Sequence, residues 1–335
     1  ARKWVSPPYN VDGWRLDVAA DLGQSNEYNH RFWKKFRQVV KKANPNAIIL
    51  AEHYGDPSEW LQGDEWDTVM NYDAFMEPIT WFLTGMEKHS DEMREELRGN
   101  ADHFMGTMSH HMANMLVPSL LTSMNQLSNH DHSRFLTRTN HVVGRVEHLG
   151  PEAANEFVEP AVMREAAAFQ MTWIGSPTIY YGDEAGVCGF TDPDNRRTYP
   201  WGREDKEMIA FHRELIKIHK TYQAFRTGAL QMLLWEEHLL AYGRFLGEEQ
   251  LVVVLNNKDE LTEVTVPVWK AEVPVKGRMK RLIYSGEKGY TTEYEEYLIC
   301  DGELVVNMGA HSVLIAVTLK EEEIEETFPI ETKET

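Results

Sequence analysis

The first two thirds of the chain alternate short apolar runs with longer amphipathic stretches. Five of the apolar runs have the length and the polar flanks of buried β-strands. They lie at residues 11–18, 47–53, 68–72, 123–129 and 177–181. A crossover helix is predicted between the first two, because apolar residues recur there at helical spacing, at Phe32, Trp33, Phe36, Val39 and Val40. A second helix is predicted over residues 205–222, and strands that alternate with helices indicate parallel βα units.

The pattern changes after residue 225. Short apolar stretches are separated there by clusters of Gly, Asn, Asp and Lys, which is typical of antiparallel sheets. These stretches lie at residues 251–255, 262–268, 281–284, 304–306 and 312–317. We predict one domain over residues 1–224, a β-sandwich domain over 225–319 and a solvated acidic tail over 320–335.

Three carboxylates follow the predicted strands at their C-terminal ends. Asp17, Glu52 and Asp131 hold these positions. Asp17 and Glu52 are separated by about one βα unit of a (β/α)₈ barrel, which takes ~30 residues. Since barrel enzymes place their chemistry at the C-terminal ends of the strands, we expect the three side chains to face one site.

Strand alternation gives each carboxylate a distinct predicted setting. Arg15 and Asp17 share one strand face, while Trp14, Leu16 and Val18 share the other. The guanidinium should keep Asp17 ionised, as a nucleophile requires, although a lone Arg–Asp pair is more often structural.

Glu52 has a different predicted role. It ends an apolar strand, so desolvation should raise its pKa and let it hold a proton as a general acid, although a Glu at a strand end is usually solvated or capping. His130 beside Asp131 would suit the binding of sugar hydroxyls.

Composition excludes several other classes of protein. A net charge of −19 would repel a nucleic acid backbone. The 14 histidines show no H-E-x-x-H or similar ligand spacing, so we expect no catalytic metal. Only Cys188 and Cys300 occur, which suits a reducing compartment, and no apolar run reaches the ~20 residues of a membrane span. We therefore expect a cytoplasmic protein with neither nucleic acid nor membrane as a partner.

Four strings in order resemble the signature regions of the α-amylase family, glycoside hydrolase family 13. GWRLDVA at 13–19 looks like the region with the nucleophile and its arginine, and AEHY at 51–54 like the region with the acid/base. NHD at 129–131 and GSPTIYYGDE at 175–184 look like the seventh-strand and eighth-strand regions. The resemblance implies that Asp17 is the nucleophile, Glu52 the acid/base and Asp131 the third catalytic carboxylate. Arg15, Asn129 and His130 would bind substrate.

Within that family the chain is similar to the neopullulanase, cyclomaltodextrinase and maltogenic amylase group, or to bacterial intracellular α-glycosidases near that group. The support is the string DPDNRR at 192–197, in which Asp192 and Arg196 would bind glucan further from the cleaved bond. Two positions depart from the group. The nucleophile is followed by VAAD rather than VANE, and Tyr54 stands where a Trp is common, although Tyr54 could still stack on a sugar.

The resemblance implies strands four to eight of a TIM barrel followed by the β-sandwich. We expect retaining hydrolysis of α-glucosidic bonds in maltodextrins, cyclodextrins or related α-glucans. Two alternatives stay open: transglycosylation of the same substrates, and a glucan-binding or scaffold role without catalysis. Because the first three barrel strands are expected upstream of Ala1, we expect the chain to need that half of the barrel, in cis or in trans.

No cofactor is expected from the sequence. A structural calcium ion would be compatible with the resemblance, but no calcium-binding loop is recognisable. The expected partner is an α-glucan oligosaccharide, and oligomerisation is left open.

Overall fold

The computed structural model describes residues 1–320, so the predicted acidic tail lies outside the described residues apart from Lys320. Five short strands form the first part of the structure, and each matches one of the predicted runs. They are β1 (Gly13–Leu16), β2 (Ile48–Ala51), β3 (Thr68–Val69), β4 (Met124–Asn125) and β5 (Ser176–Pro177).

These five strands run parallel and lie in chain order. Leu16 of β1 is in register with Ala51 of β2, and Ala51 with Val69 of β3. A parallel bridge between Met70 and Met124 joins β3 to β4, and β4 pairs with β5. Parallel strands joined by helices are the arrangement that the alternating pattern predicted.

The strands are shorter than the apolar runs that predicted them. β3 ends where the chain enters a π-helical turn at Tyr72–Met76. β5 covers only the start of the run at 177–181. The residues beyond each strand are therefore free to form turns, and these turns carry the polar side chains.

Helices connect the strands and cover them. They are α1 (Asn26–Ala43), α2 (Glu77–Thr84), α3 (Ala101–Ala113), α4 (Val117–Leu121), α5 (Phe135–Arg138), α6 (Val146–Leu149), α7 (Pro160–Thr172), α8 (Lys206–Thr221) and α9 (Ala224–Thr227). The two predicted helices are α1 and α8, capped by the side chains of Ser25 and Asp205. Over residues 1–320, none of these helices combines the length and the apolarity that crossing a membrane requires.

The sequence pattern did not predict α7, although it is the most deeply buried helix. Every residue from Ala161 to Thr172 is buried. A helix that is buried on all sides has no polar stripe, so its sequence lacks the periodicity that marks α1 and α8.

The C-terminal strands, predicted as a β-sandwich, are antiparallel as expected and are hydrogen-bonded into one continuous sheet. They are β6 (Ala229–Glu236), β7 (Leu239–Leu246), β8 (Glu249–Asn256), β9 (Thr262–Val266), β10 (Gly277–Gly286), β11 (Gly289–Thr291), β12 (Glu296–Cys300), β13 (Glu303–Met308) and β14 (Ser312–Thr318). Their order is β6-β7-β8-β14-β10-β12-β13-β9, with β11 paired to β10. The antiparallel arrangement was predicted, but the strand order was not, because local alternation does not reveal which strands hydrogen-bond to each other.

The central strands of this sheet bury both of their faces. In β8, Leu251 and Val253 pack into the core shared with the helices, while Val252 packs into a second core enclosed by the sheet. In β14, Ile315 and Leu314 divide between the two cores in the same way. The sheet therefore holds α7 firmly against the parallel strands.

Where α7 meets the sheet, an acidic side chain is fully buried. Glu165 has no exposed surface, and within residues 1–320 neither of its carboxyl oxygens has a hydrogen-bond partner. The nearest charged or titratable groups are Glu159, Arg98 and His311, whose Nδ1 lies 3.9 Å from a Glu165 oxygen. Burial, reinforced by the charge of Glu159, raises the pKa of Glu165 well above 4.5, so the folded protein holds it neutral.

We predict that Glu165 makes stability fall as pH rises. A raised pKa in the folded state contributes stability below the unfolded value of 4.5, and that contribution is lost as pH rises through the folded pKa. Glu165→Gln keeps the shape and cannot ionise. The free energy of unfolding of the natural protein minus that of Glu165→Gln should therefore decrease between about pH 5 and pH 8 in denaturant titrations. A difference that stays constant over this range would contradict the assignment.

Candidate active site

Asp17 and Glu52 follow two neighbouring parallel strands and meet at the same edge of the sheet. The N–H of Glu52 donates to the carbonyl of Leu16 at 2.8 Å, which fixes the two strand ends beside each other. Arg15 makes an ion pair with Asp17 through Nη1, and its Nη2 lies 3.2 Å from Oε2 of Glu52. One guanidinium therefore bridges the two carboxylates that the sequence singled out.

The pKa of Asp17 is lowered from its ordinary value of 3.8. The hydrogen bond from Arg15 is the largest cause, followed by the charge of Arg15, and hydrogen bonding with Glu52 and the charge of His130 act in the same direction. The side chain is 76% exposed, so a ligand can reach it. This carboxylate is ionised, accessible and oriented, as the sequence predicted.

Glu52 lies in a different setting from the apolar one that was expected. Its side chain is 12% exposed, and Oε2 accepts a hydrogen bond of 2.9 Å from the N–H of Val18 in addition to the contact with Arg15. Two polar donors therefore face the carboxyl group, where the sequence suggested desolvation alone.

The contact with Val18 comes from an unusual backbone conformation. β1 ends at Leu16, and Val18 has φ 46° and ψ 44°, which is rare for a β-branched residue. Trp14 and Leu16 pack inward as predicted, but Val18 is exposed instead of sharing their face. The turn directs the N–H of Val18 at Glu52, which strand alternation could not predict.

Buried side chains of α1 hold the backbone that follows this turn. The amide of Asn29 donates to the carbonyls of Ala19, Ala20 and Leu22 at 2.9–3.0 Å. The indole of Trp33 donates to the carbonyl of Ala19 at 2.9 Å. Side chains of α1 thus hold the backbone after Asp17, in addition to the strand pairing before it.

Asp131 and His130 lie in the turn beyond β4, and His130 is close enough to Asp17 to influence its pKa. Nε2 of His130 is 3.4 Å from Oδ2 of Asp131. The side chain of Asn129 is buried, and its Oδ1 accepts hydrogen bonds from the N–H groups of Asp131 and His132. Asn129 therefore shapes the turn, whereas the side chains of His130 and Asp131 are partly exposed.

The aromatic ring of Tyr54 lies near Glu52 and Asp131. Its ring stacks on Tyr72 with centroids 4.2 Å apart, and its hydroxyl lies 3.0 Å from Nε2 of His132. Burial raises the pKa of Tyr54 to about 12 and lowers the pKa of His132 to about 2. Both side chains are therefore neutral near pH 7, and Tyr54 can donate to the imidazole.

The loop at 192–197 is attached to the turn that holds Asp131. Nη2 of Arg196 lies 3.9 Å from Oδ1 of Asp131, and its Nε lies 2.5 Å from Oδ1 of Asp192. The amide of Asn195 donates to the carbonyls of Asn129 and His132 at 3.1 and 2.7 Å. The structure therefore gathers all nine predicted site residues into one region.

Three residues that the sequence did not assign to the site contribute to it. Tyr72 and His132 support Tyr54, and Asn195 fixes the turn around Asp131. Tyr72 is the last residue of the predicted strand at 68–72, as Asp17 and Glu52 lie at the ends of theirs, and this position could have indicated a site residue. His132 follows the string at 129–131 and Asn195 lies within the string at 192–197, but their roles could not be predicted because they depend on contacts between distant segments.

The site offers carboxylates flanked by arginines and aromatic rings. Over residues 1–320, no cluster of three or more His, Cys, Asp or Glu side chains could hold a metal ion. The arrangement can stabilise an anionic nucleophile and exchange protons through a second carboxyl group.

Known proteins resemble the chain in sequence. A family model described as the catalytic domain of alpha amylase matches residues 1–229. Neopullulanase 2 of Thermoactinomyces vulgaris is 36% identical over 276 residues, which are 80% of this chain and 40% of that protein. A cyclomaltodextrinase of Thermoanaerobacter pseudethanolicus is 32% identical over 303 residues, which are 89% of this chain and 46% of that protein. The chain thus spans less than half the length of these two curated relatives.

Solved structures resemble the fold. A debranching enzyme from Nostoc punctiforme superposes with a TM-score of 0.73 at 27% identity, and the match covers 94% of this chain and 59% of that one. A cyclomaltodextrinase superposes with a TM-score of 0.75 at 27% identity, covering 95% of this chain and 47% of that one.

We predict that Arg15 controls the ionisation of Asp17. In Arg15→Gln the pKa of Asp17 should rise toward 3.8, because the strongest cause of its lowering is removed. The carboxyl ¹³C chemical shift of Asp17, titrated by NMR, measures this directly. Arg94→Gln, which breaks an exposed ion pair with Glu92, is the matched control and should leave the titration of Asp17 unchanged. An unaltered Asp17 titration in Arg15→Gln would refute the prediction.

Proposed function

The chain belongs to the α-amylase family, glycoside hydrolase family 13, and on that premise we propose that it carries the catalytic carboxylates of a retaining α-glucan hydrolase. The proposed substrates are maltodextrins, cyclodextrins or related α-glucans. The names of the relatives, neopullulanase and cyclomaltodextrinase, support this substrate class.

The observation that carries the proposal is the bridge from Arg15 to both Asp17 and Glu52. Retaining hydrolysis needs two carboxyl groups ~5–5.5 Å apart, one as nucleophile and one as acid/base. Side chains that share one guanidinium at neighbouring strand ends are close enough for that geometry.

The proposed reaction has two steps. Glu52 protonates the glycosidic oxygen while Asp17 attacks the anomeric carbon, so that the glycosidic bond breaks and a bond from Asp17 to the sugar forms. Glu52 then removes a proton from water, which attacks the same carbon and releases Asp17. The lowered pKa of Asp17 favours the first step, since the nucleophile must be ionised.

The surrounding side chains would bind the sugar. Asp131 and His130 are partly exposed and can hydrogen-bond hydroxyls of the reacting ring. The ring of Tyr54 offers an apolar face, held rigid by its stacking on Tyr72. Asp192 and Arg196 would contact glucan further from the cleaved bond.

We further propose that the five parallel strands are strands four to eight of a (β/α)₈ barrel. Among the described residues, β1 pairs with β2 along one edge, and no described strand pairs with its other edge. A closed barrel requires further strands at that second edge. Activity would therefore depend on that part of the barrel, supplied in cis or in trans.

The roles of the two carboxylates can be distinguished by comparing substrates whose leaving groups differ in their need for protonation. In the protein expressed from the complete reading frame, Asp17→Asn should abolish turnover of both maltotriose and an aryl α-maltoside, while maltotriose binding persists. Glu52→Gln should slow maltotriose hydrolysis by ~10²–10⁴-fold. It should slow formation of the intermediate from the aryl glycoside far less, because an aryloxide leaves without protonation.

Asp64→Asn and Glu59→Gln are the matched controls, since both side chains are exposed and lie outside the site. Initial rates and calorimetric binding give the readouts. Retained turnover in Asp17→Asn would contradict the assigned role of Asp17. Equal slowing of the first-step release of both leaving groups in Glu52→Gln, measured in a single turnover, would contradict the role of Glu52 as the acid.

The alternatives give different products. A transglycosylase would convert concentrated maltose into longer oligosaccharides, because a sugar hydroxyl would replace water in the second step. A binding or scaffold protein would bind glucan without releasing reducing sugar. Chromatography of the products formed at high maltose concentration distinguishes the three.

A further inference from the structure

An exposed aromatic pair lies just beyond the loop that carries Arg196. The side chain of Trp201 is among the most exposed of the large apolar residues, at 81%. The ring of Tyr199 lies against it, with centroids 4.5 Å apart and planes inclined by 49°. Exposing an indole to water is unfavourable.

We propose that Tyr199 and Trp201 form a sugar-binding platform that receives an α-glucan chain extending away from Asp131. This proposal rests on the proposed function, and it adds a surface that determines which length of glucan the protein prefers. The ligand class is a linear or cyclic α-glucan of several units, whose apolar C–H faces stack on aromatic rings.

The distance along the chain limits how far the platform lies from the site. Arg196 contacts Asp131, and Trp201 follows Arg196 by five positions in the sequence. Even a fully extended segment of that length spans at most ~17 Å. A short oligosaccharide bound at Asp131 can therefore reach the platform.

The loop is held in place, which favours binding by a preformed surface. The carbonyl of Arg197 accepts a hydrogen bond of 2.7 Å from the hydroxyl of Tyr181. The guanidinium of Arg197 contacts Asp194 and donates to Asn155 at 2.8 Å. These contacts fix the chain at Arg197, two residues before the first ring, and so reduce the freedom that the loop loses when a ligand binds.

Polar groups surround the rings and can contact sugar hydroxyls. Glu184 lies beside the hydroxyl of Tyr199. Glu204 accepts a hydrogen bond from the N–H of Gly202, directly after Trp201. Aromatic faces flanked by carboxylates suit a carbohydrate better than an apolar protein surface, which would leave those charges buried and unpaired.

The test compares maltose, maltotriose, maltopentaose and maltoheptaose in the protein expressed from its complete reading frame. Trp201→Ala should raise KM progressively with chain length, by about 3- to 10-fold for maltoheptaose, and Trp201→Phe should recover part of the loss. Trp269→Ala removes another exposed tryptophan, located after β9, and is the matched control. It should leave all four KM values unchanged.

Binding provides a readout that does not require turnover. Maltoheptaose should change the tryptophan fluorescence of the natural protein more than that of Trp201→Ala, and calorimetry should show the same loss of affinity. If the natural protein hydrolyses no glucan, the proposed function fails while the binding comparison still tests the platform.

Two outcomes would overturn the platform. One is a KM change in Trp201→Ala that is equal for all four sugars or absent. The other is a change in oligomeric state, measured by light scattering, without any dependence on chain length, which would show that Trp201 contacts protein.

Discussion

The contact of Arg15 with both Asp17 and Glu52 is the interaction on which the rest of the site depends. A single cation lowers the pKa of one carboxylate and holds the other at the same sheet edge. Without it, two acidic groups at neighbouring strand ends would repel each other and turn toward solvent. The parallel register of β1 and β2 creates the proximity, and the arginine makes it stable.

The remainder of the fold keeps these strand ends fixed. Asn29 and Trp33 reach from α1 to the backbone after Asp17, and Asn195 reaches from a distant loop to the turn at Asp131. The C-terminal sheet buries α7, which packs among the apolar core residues beneath the site. Asp17 and Asp131 thus depend on different distant segments, and the geometry of the site is a property of the whole fold.

Sequence patterns predicted the parts of this structure that depend on neighbouring residues. The five parallel strands, α1, α8 and the meeting of Asp17 with Glu52 follow from periodicity and from the common edge of parallel strands. The left-handed turn at Val18 could not be predicted, because contacts from α1 and Glu52 hold it. The single C-terminal sheet and the fully buried α7 escaped prediction for a related reason: long-range pairing leaves no local periodicity.

The most direct test of the account is to trap the proposed intermediate. A 5-fluoro-α-glucosyl fluoride reacts with a retaining enzyme to leave a slowly hydrolysed glycosyl ester, which peptide mass spectrometry can locate. In the protein expressed from its complete reading frame, the account predicts one label, on Asp17, and its loss in Asp17→Asn. A label on Glu52, Asp131 or any other residue would contradict the central claim.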